Sequence, residues 1–342
     1  MSTQKKTIFI RFGLDNGRKY GLGHGYRMLN ILKELNLSSV DYRLFFIINR
    51  NKISKIFLKQ KLKNFSKKII FDDLKKDTYS KFFLKYKNSY FISDNLGRDT
   101  FFFRLFLTYN KKIVSFDDIR NKLSSKSVII NSIYFLKKKL KKKFFDKGVK
   151  IYQSLKYLPL NIKSNKYQPN IKFDRIKNIT ITLGGGDIKK NTLKILQEIY
   201  TENFTYYIIV GFANKDYKKI MLFSKNKKNV KILHDIQNLE SPIKKSQLII
   251  CSGGNVLFEA LSYRKNCIVL KTYDHQKKTI EYFANKNCIY VPKKKITKKM
   301  LLNMNKKKEI TKMRKNIKFI PKDLDKKGIK RICNILKKFL NE

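Results

Sequence analysis

Three times along this 342-residue chain an apolar run of strand character ends in a glycine-rich turn and passes into a helical pattern. A repeated strand–turn–helix unit leaves few folds open, because each strand needs helices on both faces of a parallel sheet. The strand-like runs are Thr7 to Ile10, Leu44 to Ile48, Lys68 to Phe71, Tyr90 to Ser93, Ile113 to Phe116 and Val128 to Asn131. The rhythm restarts with Ile179 to Leu183, Tyr206 to Val210, Val230 to Leu233, Leu248 to Cys251 and Cys267 to Leu270. Helical spacing follows the first turn at Met28, Leu29, Leu32 and Leu35, and further helices are expected from about Asn191, Val256 and Lys298. In such α/β sheets functional loops gather at the carboxyl ends of strands.

The stretch from about Leu155 to Ile176 holds Pro159 and Pro169 among many polar residues. It reads as a linker or as a charged loop within one domain. As a linker it divides the chain into a Rossmann-like domain over residues 1–160 and a second over residues 170–342, facing a cleft. Hydrophobic residues at 42% and aromatics at 13% supply enough material for two cores.

Charge tests the alternative of nucleic-acid binding. Lys and Arg number 79 against 25 Asp and Glu, a formal +54. The excess recurs along the chain, as at Lys137 to Lys143, Lys293 to Lys295 and Lys306 to Lys308, and is mostly Lys. Base-edge readout leans on bidentate Arg instead. A lysine-decorated solvated surface is therefore expected, with no specific nucleic acid as ligand and at most a weak electrostatic association with an anionic membrane surface. Four cysteines without paired spacing and three histidines offer no recognisable metal site. No spanning helix or signal segment is legible, so a cytoplasmic, reducing location is expected.

The first turn, Gly21-Leu22-Gly23-His24-Gly25-Tyr26-Arg27, places His24 where a helix begins. The positive end of the helix disfavours imidazolium there, and a neutral imidazole can act as a general base. The other reading is a helix-terminal His satisfied by backbone. The second turn, Gly184-Gly185-Gly186-Asp187, is either a phosphate cradle or only a tight bend; it lacks the Lys-Ser pair of a P-loop. The third, Ser252-Gly253-Gly254-Asn255, opens a helix with Glu259 about one turn in. Backbone N–H groups there suit a diphosphate, and a carboxylate accepts from both hydroxyls of a ribose. A first-turn Glu complementing the dipole is the plainer account. His275 and Gln276 follow the next strand, where they can close the same pocket.

The order Gly-x-Gly-His-x-x-Arg, Leu-Gly-Gly-x-Asp, Ser-Gly-Gly-x-x-x-x-Glu and His-Gln resembles the UDP-sugar hydrolases of pseudaminic acid biosynthesis, relatives of the GT-B glycosyltransferases. Asp94 to Gly97, Ser115 to Asp118, Asn131 and Lys156 to Leu160 look similar too. The resemblance implies a GT-B-like fold and metal-independent, inverting attack of water on the anomeric carbon of a UDP-linked 2,4-diacetamido-2,4,6-trideoxy sugar, with no cofactor. It implies His24 as the group that orients or deprotonates water, with Gly23 and Arg27 on the first-domain side of the site. Gly184, Gly185 and Gly186 would approach the nucleotide. Gly253, Gly254 and Asn255 would bind diphosphate, Glu259 the ribose, and Gln276 the sugar or diphosphate, with Ser252 and His275 also among the substrate-binding residues. The sequence departs from the family where Arg11 and Asp15 stand four apart, and where Asn255 replaces a more usual Ser or Thr. A GT-B glycosyltransferase and a non-catalytic polyanion-binding protein are the rival readings.

Overall fold

Every strand expected from the sequence joins a parallel sheet. A computed structural model describes residues 5–14, 22–37, 41–63, 65, 67–95, 100–117, 123–132, 138–160, 173–187, 189–236, 238–325 and 327–341. Gly21, Asp15, Leu96, Gly97, Asp118 and residues 161–172 of the expected linker lie outside the described residues. The chain divides into two units, one built on Lys19–Pro159 with the first strand and Lys327–Glu342, the other on Leu160–Lys326.

In the first unit the order is β1 (Lys6–Phe12), α1 (Gly23–Leu35), β2 (Tyr42–Ile48), α2 (Lys52–Lys61), β3 (Lys67–Phe71), α3 (Lys76–Lys85) and β4 (Tyr90–Asp94). Then come α4 (Thr100–Tyr109), β5 (Lys112–Phe116), β6 (Ser127–Asn131), α5 (Lys138–Phe145) and β7 (Lys150–Gln153). The sheet runs β3-β2-β1-β4-β5-β6-β7. Its order reverses between β1 and β4, and a crevice opens at the carboxyl ends of strands at such a switch point. Phenylalanine fills one face of the sheet: Phe9 packs edge-on against Phe83 at 5.0 Å and stacks on Phe45 at 5.1 Å. Rings at these separations combine area burial with favourable quadrupole geometry.

The second unit contains β8 (Asn178–Thr182), α6 (Asn191–Ile199), β9 (Thr205–Val210), α7 (Tyr217–Ser224), β10 (Val230–His234) and α8 (Glu240–Lys245). It continues with β11 (Leu248–Ser252), α9 (Asn255–Ser262), β12 (Asn266–Leu270), α10 (Lys277–Asn285), α11 (Lys298–Met304) and α12 (Lys307–Asn316). The sheet order β10-β9-β8-β11-β12 places the switch between β8 and β11. Pairing of Thr182 with Cys251 brings the turns after these two strands to the same edge. The core is rich in β-branched residues, with Ile179, Ile181, Ile208, Ile250 and Ile268 all fully buried. Such side chains fit a sheet covered on both faces.

The last helix, α13 (Gly328–Asn341), corrects the expected second domain of 170–342, because it packs on α1 in the first unit. Ile332, Leu336, Phe339 and Leu340 form its buried stripe. Phe339 meets Tyr90 at 5.6 Å, and the Tyr90 hydroxyl donates to the Leu340 carbonyl at 3.0 Å. Amphipathic spacing demanded a covering partner for this helix without naming which unit supplies it. Among the described residues, no helix is long and apolar enough to cross a membrane.

Gly328 starts α13 against the chain at Leu158: a Cβ there would stand 1.8 Å from the Leu158 carbonyl oxygen. Gly328→Ala should lower stability by about 2–4 kcal/mol in urea unfolding, since backbone must move to admit the methyl. An unchanged midpoint would show that α13 does not need this approach.

Candidate functional site

Helix α1 begins at the first switch point, just beyond the end of β1. Its entry is close: a Cβ on Gly25 would meet Leu14 Cδ2 at 2.5 Å and Phe57 Cζ at 3.0 Å. That packing leaves His24 nine-tenths buried, with Nδ1 2.8 Å from Asp94 Oδ1 at the end of β4. A carboxylate accepts here, so Nδ1 carries the hydrogen, and in the neutral ring the lone pair is then on Nε2.

One turn further along α1, Arg27 lies beneath this pair and is 5% exposed. Its Nε donates to Asp94 Oδ2 at 2.5 Å, one terminal nitrogen donates to Asp94 Oδ1 and the other to Asp117 Oδ2. Asp117, just past β5, accepts from the Ser132 amide at 2.9 Å and takes a left-handed backbone with φ 48°. Burial alone would raise the Asp94 pKa. The Arg27 charge, helped by His24 and the hydrogen bonds, overcomes it and holds the carboxyl at about 2. Burial likewise opposes the Arg27 charge, and the two aspartates more than offset it, raising its pKa. Arg27 thus spends its donors on protein carboxylates and braces Asp94 from behind. Gly23, exposed at the start of α1, stands beside His24.

In the second unit, Gly184 follows β8 with φ +92°, a conformation that favours glycine. A Cβ on Gly211 would lie 2.4 Å from Gly185 Cα, so the turns after β8 and β9 touch backbone to backbone. Gly186 leads to Asp187, whose carboxylate accepts from the amides of Asn191 at 3.1 Å and Thr192 at 2.7 Å. This acid therefore caps the start of α6.

The turn after β11 gathers Ser252, Gly253, Gly254, Asn255, Glu259 and Gln276. Gly253 fits against α10, where a Cβ would strike Ile280 Cγ1 at 2.6 Å. Gly254 precedes α9 without a side-chain cap, and the Leu257 amide donates to the Gly254 carbonyl at 3.0 Å. Gln276 is buried with a defined amide orientation: Oε1 accepts from Thr272 Oγ1 at 2.8 Å and from the Thr272 and Tyr273 amides at 3.2 and 3.3 Å. Nε2 consequently faces the turn, 3.6 Å from where a Gly254 Cβ would be. Glu259 has no hydrogen-bond or ionic partner for its carboxylate among the described residues, and burial pushes its pKa up to about 8. It keeps partial solvent access, so the acid is both desolvated and reachable. The backbone of His275 lies in the short helical turn Asp274–Gln276 before α10; its side chain is outside the described set.

Two parallel, Rossmann-like sheets with these switch-point turns define a GT-B-like protein. Residues 180–330 match the Glycosyltransferase family 28 C-terminal domain. Over its full extent the fold is similar to Acinetobacter baumannii MurG, with TM-score 0.59 and 12% identity, covering 97% of this chain and 99% of that one. It is similar also to TcCGT1 in complex with UDP, with TM-score 0.61 and 9% identity, covering 98% and 100%.

Sequence relatives narrow the kinship. An uncharacterized protein of Methanocaldococcus jannaschii is 28% identical over 80% of this chain, a match spanning 57% of that protein's length. The spore coat polysaccharide biosynthesis protein SpsG of Bacillus subtilis is 24% identical over 79% of each chain. The UDP-2,4-diacetamido-2,4,6-trideoxy-beta-L-altropyranose hydrolase of Campylobacter jejuni is 27% identical over 31% of this chain and 38% of its own. A UDP-sugar hydrolase of the kind that the motifs resemble is thus among the sequence relatives, matched over 31% of this chain.

Asp94→Asn leaves Arg27 buried with half its compensation and should cost about 3–5 kcal/mol in chemical unfolding. The native carboxylate contributes stability present above its unfolded pKa of about 3.8 and lost as pH falls toward about 2. That acid-side loss should flatten in the variant; equal pH dependence in both proteins would remove Asp94 as the titrating group.

Proposed function

We propose that this protein hydrolyses a UDP-linked 2,4-diacetamido-2,4,6-trideoxy sugar to free sugar and UDP. The observation that carries the reading is the His24–Asp94 hydrogen bond, which leaves Nε2 as an oriented base; kinship to the Campylobacter hydrolase supports the substrate class. Water oxygen attacks the anomeric carbon while its proton passes to His24 Nε2. The bond from that carbon to the diphosphate oxygen breaks, its electron pair leaves with UDP, and configuration inverts. Arg27 is a positioning residue for Asp94 and so for His24.

In the second unit the N–H groups opening α9 and the Gln276 amide receive the diphosphate, and take up charge as the leaving oxygen develops it. Glu259 accepts from the ribose hydroxyls. Gly184, Gly185 and Gly186 let the nucleotide approach the neighbouring turn, with Ser252, Asn255 and His275 as further substrate contacts. No metal or cofactor enters this scheme.

A glycosyltransferase reading, in which an acceptor hydroxyl replaces water, draws support from the family 28 match over residues 180–330. Product analysis with and without sugar acceptors separates the two: transfer product formed in preference to free sugar would favour it.

His24→Ala should lower kcat by about 10²–10⁴-fold with calorimetric UDP affinity retained. Full turnover in the variant would eliminate His24 as the base.

UDP affinity should rise with pH from 7 to a plateau above about 8, because Glu259 must lose its proton to accept from both hydroxyls. Glu259→Gln should weaken UDP binding at pH 9 and abolish this slope. It should also stabilise the unliganded fold at that pH by roughly 1–3 kcal/mol, since the elevated native pKa destabilises the ionised form above it. Unaltered UDP affinity and slope would exclude Glu259 from the nucleotide site.

A further inference from the structure

The second unit holds a cavity of about 450 Å³ that the proposed reaction does not use. Leu248 and Asn266, the first residues of β11 and β12, line it. The glycine turn lies at the opposite, carboxyl end of β11, roughly 13 Å away along a strand of this length. The volume falls in the range of small-molecule sites, about 300–1,000 Å³.

Three features specify what the cavity would hold. Asn266 is 7% exposed, and its Nδ2 is buried with no hydrogen-bond acceptor. An amide donor in that condition is destabilising, and a ligand acceptor can recover the loss. Met300, Met304 and Met313 supply thioether walls, which adapt in shape and make favourable contacts with aromatic rings. Lys299 and Lys312 stand exposed at the lining without an ion pair among the described residues, against one carboxylate, Glu309. The local excess is cationic.

From this combination we infer a second binding site, selective for a small aromatic anion that carries a hydrogen-bond acceptor. The ring lies against the methionines, the acceptor reaches Asn266 Nδ2, and the anionic group sits between Lys299 and Lys312. The site is independent of the proposed hydrolysis and goes beyond it.

The test uses the full chain and 8-anilinonaphthalene-1-sulfonate, an aromatic anion whose fluorescence rises in apolar surroundings. Titration should give saturable binding that excess UDP does not displace. Lys299→Glu with Lys312→Glu should weaken it roughly five- to tenfold, whereas the same charge change at Lys141 and Lys142 on α5 should leave it unaltered. Asn266→Leu, which removes an unpaired buried amide, should keep the melting temperature and still weaken the probe. Absence of saturable binding, displacement by UDP, insensitivity to the Lys299 and Lys312 changes, or equal loss in the α5 pair would each overturn the site. A protein that binds no UDP yet shows the expected pattern would retain this site and lose the proposed function instead.

Discussion

One buried guanidinium shared by two buried carboxylates organises the first unit. Arg27 reaches Asp94 at the end of β4 and Asp117 at the end of β5, and none of the three is more than 5% exposed. Desolvating any one of them alone would cost several kcal/mol, so they are tolerable only together. Their joint requirement seats α1 across the ends of adjacent strands, and His24, one turn earlier on that helix, then falls on the remaining face of Asp94. A buried ion cluster is seldom the most stabilising filling for such a space. Its value in the proposed mechanism is orientation: it defines which imidazole nitrogen donates and leaves the other basic.

The second unit handles polarity in the opposite way. At its switch point the start of α9 lacks a side-chain cap, Gln276 turns Nε2 toward the glycine turn, and Glu259 has a raised pKa with no described partner. None of the residues gathered at this turn is a lysine. Recognition of an anionic nucleotide would rest there on backbone dipoles and an amide, while the large positive charge of the chain is spread over its surface. The first unit thus pairs its buried polar groups with one another, whereas the second leaves the Glu259 carboxylate without a described partner.

Much of this architecture is legible in the sequence because apolar runs bounded by glycine turns report burial directly. Leu248 to Cys251 and Val128 to Asn131 become strands within a residue of the expected limits. The polar strand Lys150–Gln153 escapes such a reading, since it lies at the sheet edge and is half-exposed through most of its length. The destination of α13 is also illegible: an apolar stripe announces burial, but tertiary structure chooses the partner. Similarly, Arg27 and its aspartates are separated by 67 and 90 residues. Strand-end acids at Asp94 and Asp117 were the available signal, and their meaning depends on the sheet order. Asp187, by contrast, sits in a phosphate-like turn yet spends its carboxylate on capping α6.

The central claim is that a base held by Asp94 directs water to the anomeric carbon of a UDP-sugar. Proton NMR of the anomeric region settles it most directly, during incubation of the protein with UDP-2,4-diacetamido-2,4,6-trideoxy-altropyranose and EDTA. The account predicts stoichiometric UDP and free sugar appearing first in the inverted configuration. Persistent intact substrate, or a first product of retained configuration, would contradict it.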